Sequence, residues 1–279
     1  MSVASSLSSR PWLAFALLAV VPAFAFAAPP PAPSDGLQYQ RVVLTATLGR
    51  NSLDTQLRRD AAVGVPGTML SGEDDLGLAR SKLSGTAEFT VRTRNRHRFR
   101  IGADYLAWER QATATPTVPF VYDGITYGVT DAVQTTLDLR RYSATYLYSP
   151  FRNERFELSV GLGVDLIDFQ ALLAVPERGV KQQDTGTAPV PRAGIEGLWR
   201  ISPHWYAEGR ASYVQGTVAQ GSGKLKAFSA NVVWAWQPGM AFQLGYQRYD
   251  LQGESFYPSV PGKVHLKTGG PQLAVRVGF

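Results

Sequence analysis

Apolar and polar positions alternate along ten stretches of the chain, at about 38–49, 82–93, 97–109, 133–148, 154–169, 189–201, 204–216, 225–237, 240–251 and 264–279. Successive side chains of a strand point to opposite faces, so this alternation predicts strands with one apolar and one polar face. In the third stretch Phe99, Ile101, Ala103 and Tyr105 share one face, with Arg98, Arg100 and Asp104 on the other. In the eighth, Phe228, Ala230, Val232, Trp234 and Trp236 oppose Ser229 and Asn231. Most stretches exceed the roughly 9–11 residues that a tilted strand needs to cross a hydrocarbon layer.

The connections alternate in length. Short turns fall at Arg94–His97, Ser149–Glu154, Ser202–His204 and Gln237–Met240. Long ones fall at about 50–81, 110–132, 170–188 and 252–263, with a shorter one at 217–224. Short turns on one side and longer loops on the other are the asymmetry of a transmembrane barrel, whose strand number is even in single bacterial chains. An all-β, antiparallel up-and-down barrel of about ten strands is expected, with eight or twelve as alternatives. The final strand, Leu273-Ala-Val-Arg-Val-Gly-Phe279, is apolar on one face and ends on an aromatic residue. It resembles the closing strand of bacterial outer-membrane β-barrels, with Val275, Val277 and Phe279 as an assembly signal.

That resemblance, to the small porin-like and outer-membrane protein β-barrel domain family of Gram-negative bacteria, implies an outer-membrane location. Contact with outer-membrane lipid and lipopolysaccharide and engagement of the C-terminal strand by the barrel assembly machinery are expected with it, and a monomer is expected by default. The N-terminus agrees. Arg10 precedes an apolar run from Trp12 to Phe26, and Ala25-Phe26-Ala27 has the small-residue pattern of a signal peptidase site. The run is too short for a spanning helix and is interrupted by Pro22, so cleavage after Ala27 is favoured over a retained anchor. The expected organisation is a signal peptide at 1–27, a proline-rich lead-in at 28–37 and a barrel over 38–279.

Composition narrows the picture. The chain has no cysteine, which excludes disulfides, thiolate metal sites and lipoprotein acylation. Its formal charge of +6 is mixed along the chain with no basic tail, and nothing points to nucleic acid. The 13 Phe, 6 Trp and 12 Tyr suit strands and membrane interfaces. Tyr146, Tyr148, Trp205, Tyr206, Trp234 and Trp236 lie near turn ends, where aromatic girdles are expected. The rival fold is a soluble periplasmic barrel or sandwich, whose strands also alternate. The terminal phenylalanine, loop asymmetry and aromatic placement favour the membrane.

Alternation turns Glu88, Arg92, Arg100, Asp104, Glu157, Asp165, Arg192, Glu196, Glu208, Arg210 and Arg276 inward. A wide pore displays such groups as a selectivity field. A ten-strand barrel is narrow, so opposite charges should pair and block it. Three consecutive acids, Glu73, Asp74 and Asp75, are oxygen ligands suited to a divalent cation but lack the spacing of an EF-hand loop. The surrounding Gly67–Gly77 stretch resembles the first loop of some uncharacterised exported barrels. Arg58, Arg59, Arg80 and Lys82 flank this loop and suit lipopolysaccharide phosphates or a solvated surface equally.

The ten-stranded omptin proteases use an Asp-x-His pair, which this chain lacks. His97 and His204 fall in turns at the wrong end. His265, with Ser255 and Glu254, is the one arrangement reminiscent of lipid A deacylases, though without their His-x-Ser signature. Gly161-Leu-Gly163 lacks the remainder of a dinucleotide motif. No cofactor is implied. The leading expectation is a non-enzymatic barrel with a structural or surface-interaction role and a lumen plugged by salt bridges. A narrow passive channel and a lipid-modifying or proteolytic enzyme are the alternatives.

Overall fold

A computed structural model describes residue 37 and residues 40–94, 96–105, 109–218, 221–255 and 261–279. The expected signal peptide and nearly all of the expected lead-in therefore lie outside the described residues. Among the described residues, ten long strands form a closed antiparallel barrel. They are β1 (Val42–Arg59), β2 (Ser81–Arg94), β3 (His97–Tyr105), β4 (Val133–Arg152) and β5 (Phe156–Val175). β6 (Val180–Arg200), β7 (Trp205–Val218), β8 (Gly221–Gln237), β9 (Met240–Ser255) and β10 (Gly262–Gly278) complete it. Each strand pairs with its sequence neighbour, and β10 returns to β1 from Val43↔Gly278 to Arg59↔Gly262. Closure leaves no free sheet edge.

Several strands run further than alternation alone predicts. β1 continues to Arg59, and the expected loop at 170–188 is instead the end of a long hairpin. There β5 and β6 stay paired to Val175↔Val180, and only Pro176–Gly179 turns, with Gly179 at φ 64°. The reason lies outside the wall. From Lys181 to Thr187 no large apolar side chain occurs, so the segment reads as loop although its backbone bonds continue. The expected turn at Ser149–Glu154 is also shorter. β4 runs to Arg152 with a bulge between Tyr148 and Phe151, where Pro150 has no N–H to give the ladder.

The outward face carries an apolar belt: Leu44 and Leu48, Leu83 and Phe89, Phe99 and Ile101, Val160, Leu162 and Leu166, Ile195, Phe228, Val232, Leu244 and Leu273 are all exposed. Above the belt, away from the short turns, the outward face turns polar, with Asp54 on β1, Arg140 on β4, Gln170 on β5 and Lys226 on β8. The inward face reverses this order. It is charged behind the belt and apolar above it.

Two connections fold over the upper mouth. Leu70, Leu76 and Leu78 from residues 60–80, and Phe120, Tyr122 and Tyr127 from residues 115–132, are buried against Leu137, Ile167, Leu173, Leu225 and Leu266 of the wall. Phe120 and Tyr127 stack at 4.8 Å. Burial pushes the Tyr127 phenol up to about 12. The N–H of Gly128 donates to Asp131 at 2.7 Å and, with Arg178, holds that carboxyl below its ordinary range.

Phe279 completes the seam through its backbone. Its carbonyl accepts from the N–H groups of Arg41 and Val42 at 2.8 and 3.1 Å, and its N–H donates to Val42 at 2.8 Å. At about 1 kcal/mol per bond, deleting Phe279 is expected to fray the closing pair and lower the folded yield. The measurement is the fraction of compact, heat-shiftable barrel on unheated SDS gels after refolding; an unchanged yield would refute the expectation.

Candidate functional site

The lumen gathers buried charged side chains from facing strands. At the end with the short turns, Tyr206, Val233 and Ala241 form a buried floor, with Leu37 and Leu198 packed against it. Above the floor sits a network built from period-two alternation on facing strands. Glu157 of β5 accepts two bonds from Arg92 of β2, both at 3.0 Å, and one from the Ser149 hydroxyl of β4 at 2.6 Å. Arg98 of β3 and Arg152 of β4 approach the same carboxylate at 3.6 and 3.9 Å. One carboxylate thus ties four consecutive strands together.

The next pairs cross the lumen. Arg100 of β3 grips Glu196 of β6 with two N–H groups. Arg210 of β7 reaches Glu88 of β2 and its strand-mate Glu208, each at 2.9 Å. Arg276 of β10 donates to Glu208 at 2.6 Å. Higher still, Arg141 pairs with Asp104, whose other oxygen accepts from Thr86 at 2.7 Å, and Arg192 lies 3.5 Å from Asp165. Between these groups lies a polar cavity of about 130 Å³, lined by Glu88, Arg100, Arg141, Arg192, Arg210 and Tyr249 among others. Room for a few waters suits so polar a space. Gly245 makes way for the wall polar groups: a Cβ there would sit 1.9 Å from Oδ1 of Asn231.

Every charged residue that alternation turned inward is placed in the lumen. Arg141 and Arg152 join them without having been singled out. The parity of β4 makes Arg141 inward beside Leu139 and so could have revealed it. The bulge at Pro150 flips the parity before Arg152, and no pattern in the sequence marks that flip.

The aromatic set divides. Trp205 and Trp234 stack at 6.3 Å, Trp234 and Trp236 flank Phe242, and Tyr146 packs on Phe99 at 5.1 Å, all on the outward face near the short turns. Tyr148 shares that face beside His97. Tyr206 does not belong to the girdle. It follows Trp205 directly, so the strand turns it inward, where it is 1% exposed.

In the acidic turn Asp74 and Asp75 are exposed, as a solvated turn predicts, whereas Glu73 is not. Glu73 is buried, bonded to Arg110 and to the N–H of Thr55 at 2.8 Å. Asp74 pairs with Arg80, and Asp75 accepts from the N–H of Ser71 at 2.7 Å. No metal-holding group of His, Cys, Asp and Glu occurs among the described residues. Arg58 and Arg59 are likewise engaged within the chain, with Asp60 and with Asp123 and Asp184.

The Ser255, His265 and Glu254 arrangement is not assembled. His265 sits opposite Gln252 in the β9–β10 register and bonds Asp250 at 3.0 Å, while Glu254 binds Lys263 at 2.8 Å. Ser255, three residues from Gln252, falls on the other face of the hairpin. The imidazole also faces outward rather than toward the lumen.

No protein-family model matches the chain, and no curated protein matches its sequence. Among solved structures, the outer membrane protease OmpT of Escherichia coli is similar over 86% of this chain and 97% of its own, with 9% identity and a TM-score of 0.56. The attachment invasion locus protein Ail of Yersinia pestis covers 84% of this chain at 10% identity, with 99% of its own chain matched and a TM-score of 0.37. Neisserial surface protein A covers 85% at 12% identity, with 97% of its own chain matched and a TM-score of 0.30. The likeness to OmpT is one of fold: a closed antiparallel barrel of the outer-membrane type.

Proposed function

We propose that this chain is a non-enzymatic barrel of the bacterial outer membrane, closed to solutes, whose folded outer end serves a structural or surface-interaction role. The observation that carries the reading is the filled lumen. An apolar floor, a connected set of ion pairs and an apolar plug roofed by two connections follow one another along the axis. The polar cavity is bounded by these layers rather than opened by them. The exposed apolar belt and the aromatic residues at its lower edge support placement in a bilayer. In that setting the outward Val275 and Val277 of β10, with Phe279 just beyond it, are the surface on which the assembly machinery would act, and the barrel works as a monomer.

Single-channel recording in planar bilayers is expected to show no discrete conductance steps. Steps of uniform size would overturn the closed-lumen reading in favour of a narrow channel. Lipid A from cells with and without the protein is expected to have the same mass spectrum; a new modification would replace the non-enzymatic reading. The membrane setting has its own check. The purified protein should shift on boiling in SDS gels, and recovery as a soluble periplasmic protein would sink it.

A further inference from the structure

Just above the apolar belt, the outward faces of β8, β9, β10 and β1 carry a block of charge. Register places Lys226, Asp250, Lys267 and Asp54 side by side across the four strands, with Lys224, Gln252, His265 and Gln56 in the next row. The carboxylates here are already engaged. Glu254 holds Lys263 at 2.8 Å, Asp54 lies 3.7 Å from Lys267, and Oδ1 of Asp250 is held by His265 at 3.0 Å. Toward β7, the lysines face only Tyr213 and Gln215. Among the described residues, Lys224, Lys226 and Arg248 are left with no ion-pair or hydrogen-bond partner.

Their height is as informative as their charge. Arg248 stands directly opposite Phe228, the top of the belt on β8, and follows the exposed Tyr246 on its own strand. Several cations elsewhere on the outer end are paired, Arg80 with Asp74, Arg140 with Asp138 and Arg178 with Asp131, whereas the exposed Lys181 stands near the tip of the β5–β6 hairpin, well above the belt. On this side of the barrel, unpaired positive charge meets the upper edge of the belt.

We propose that Lys224, Lys226 and Arg248 bind the phosphate groups of an anionic glycolipid of the outer leaflet, whose acyl chains lie along Phe228, Leu244 and Tyr246. Charge complementarity selects phosphate, and continuity with the apolar belt selects a membrane lipid over a soluble polyanion. The inference rests on the belt lying in a bilayer. It moves the lipid contact away from Arg58, Arg59 and Arg80, whose guanidinium groups are spent within the chain.

The test uses full-length folded protein in detergent, with bisphosphorylated lipid A and its dephosphorylated analogue as probes and native mass spectrometry as the readout. Wild type is expected to retain the phosphorylated lipid and not the analogue. The triple variant K224Q, K226Q and R248Q should retain it on the order of tenfold less or weaker still. The pair R58Q and R80Q should bind as wild type does. Equal retention by the triple variant, or equal loss in the control pair, would overturn the site. Wild-type binding of inositol hexakisphosphate as tight as that of lipid A would overturn the lipid. Because all three side chains point outward without partners, each variant should keep its heat shift on gels. Loss of that shift in the wild type would instead refute the membrane reading.

Discussion

Replacing Glu157 with alanine is expected to cost about 3–5 kcal/mol of barrel stability, the range for removing one partner of a buried ion pair. The carboxylate is nearly inaccessible, and Arg92, Arg98, Arg152 and the Ser149 hydroxyl converge on it. Without it Arg92, Arg98 and Arg152 lose the carboxylate they share behind the belt, and Arg98 keeps Glu196 at 3.7 Å. Glu157→Gln should fall between, since the amide oxygen still accepts but the charge is gone. The measurement is reversible denaturant unfolding of the refolded barrel in detergent or bilayers, following the heat-shiftable form. An alanine variant within about 1 kcal/mol of wild type would show that water reaches and solvates the arginines, and with it the closed lumen would fail.

The second large effect concerns the roof. Arg110 donates to Glu73, to the Thr55 hydroxyl and to the carbonyl of Ala79 at 3.3 Å, tying residues 72–80 to β1 and to the strand Arg110–Ala114. Arg110→Ala leaves Glu73 charged and buried. The segment should then open about a hundredfold more often, which corresponds to about 3 kcal/mol of local stability. Limited proteolysis within residues 60–80 reads this opening directly, while the heat shift of the barrel stays as in wild type. Arg110→Lys is expected to rescue poorly, because one ammonium cannot span three acceptors. Replacing the pair together, Glu73→Leu with Arg110→Met, should restore protection. Unchanged cleavage in the alanine variant would mean that the leucines hold the roof alone.

Much of the barrel is legible because a wall one residue thick writes its two environments into alternate positions. Arg98 and Arg100 against Phe99 and Ile101 disclose both the strand and its sidedness. Three kinds of feature escape that reading. A bulge such as the one before Phe151 breaks the parity without breaking the strand. Adjacent aromatics such as Trp205 and Tyr206 look alike in a window but must face opposite ways. Pairings such as Arg100 with Glu196, 96 residues apart, depend on which strands face each other across the axis, and alternation fixes only that both point in. The roof was hidden for a related reason. Glu73 stands beside Asp74 and Asp75 in a run that composition marks as solvated, and only the distant Arg110 and Thr55 make its burial possible.

The reversal of the interior along the axis has a thermodynamic consequence. Behind the belt, oil lies outside and charge within, so unfolding in a bilayer need not bring apolar surface to water. Above the belt, Leu137, Leu173, Leu225, Leu251 and the roof leucines are shielded from water by a polar wall, as in a globular protein in solution. Only that half should contribute a large positive heat-capacity change when it melts. The same chain therefore contains two melting regimes: one curved with temperature and indifferent to the lipid chosen, the other nearly linear and set by the bilayer around it.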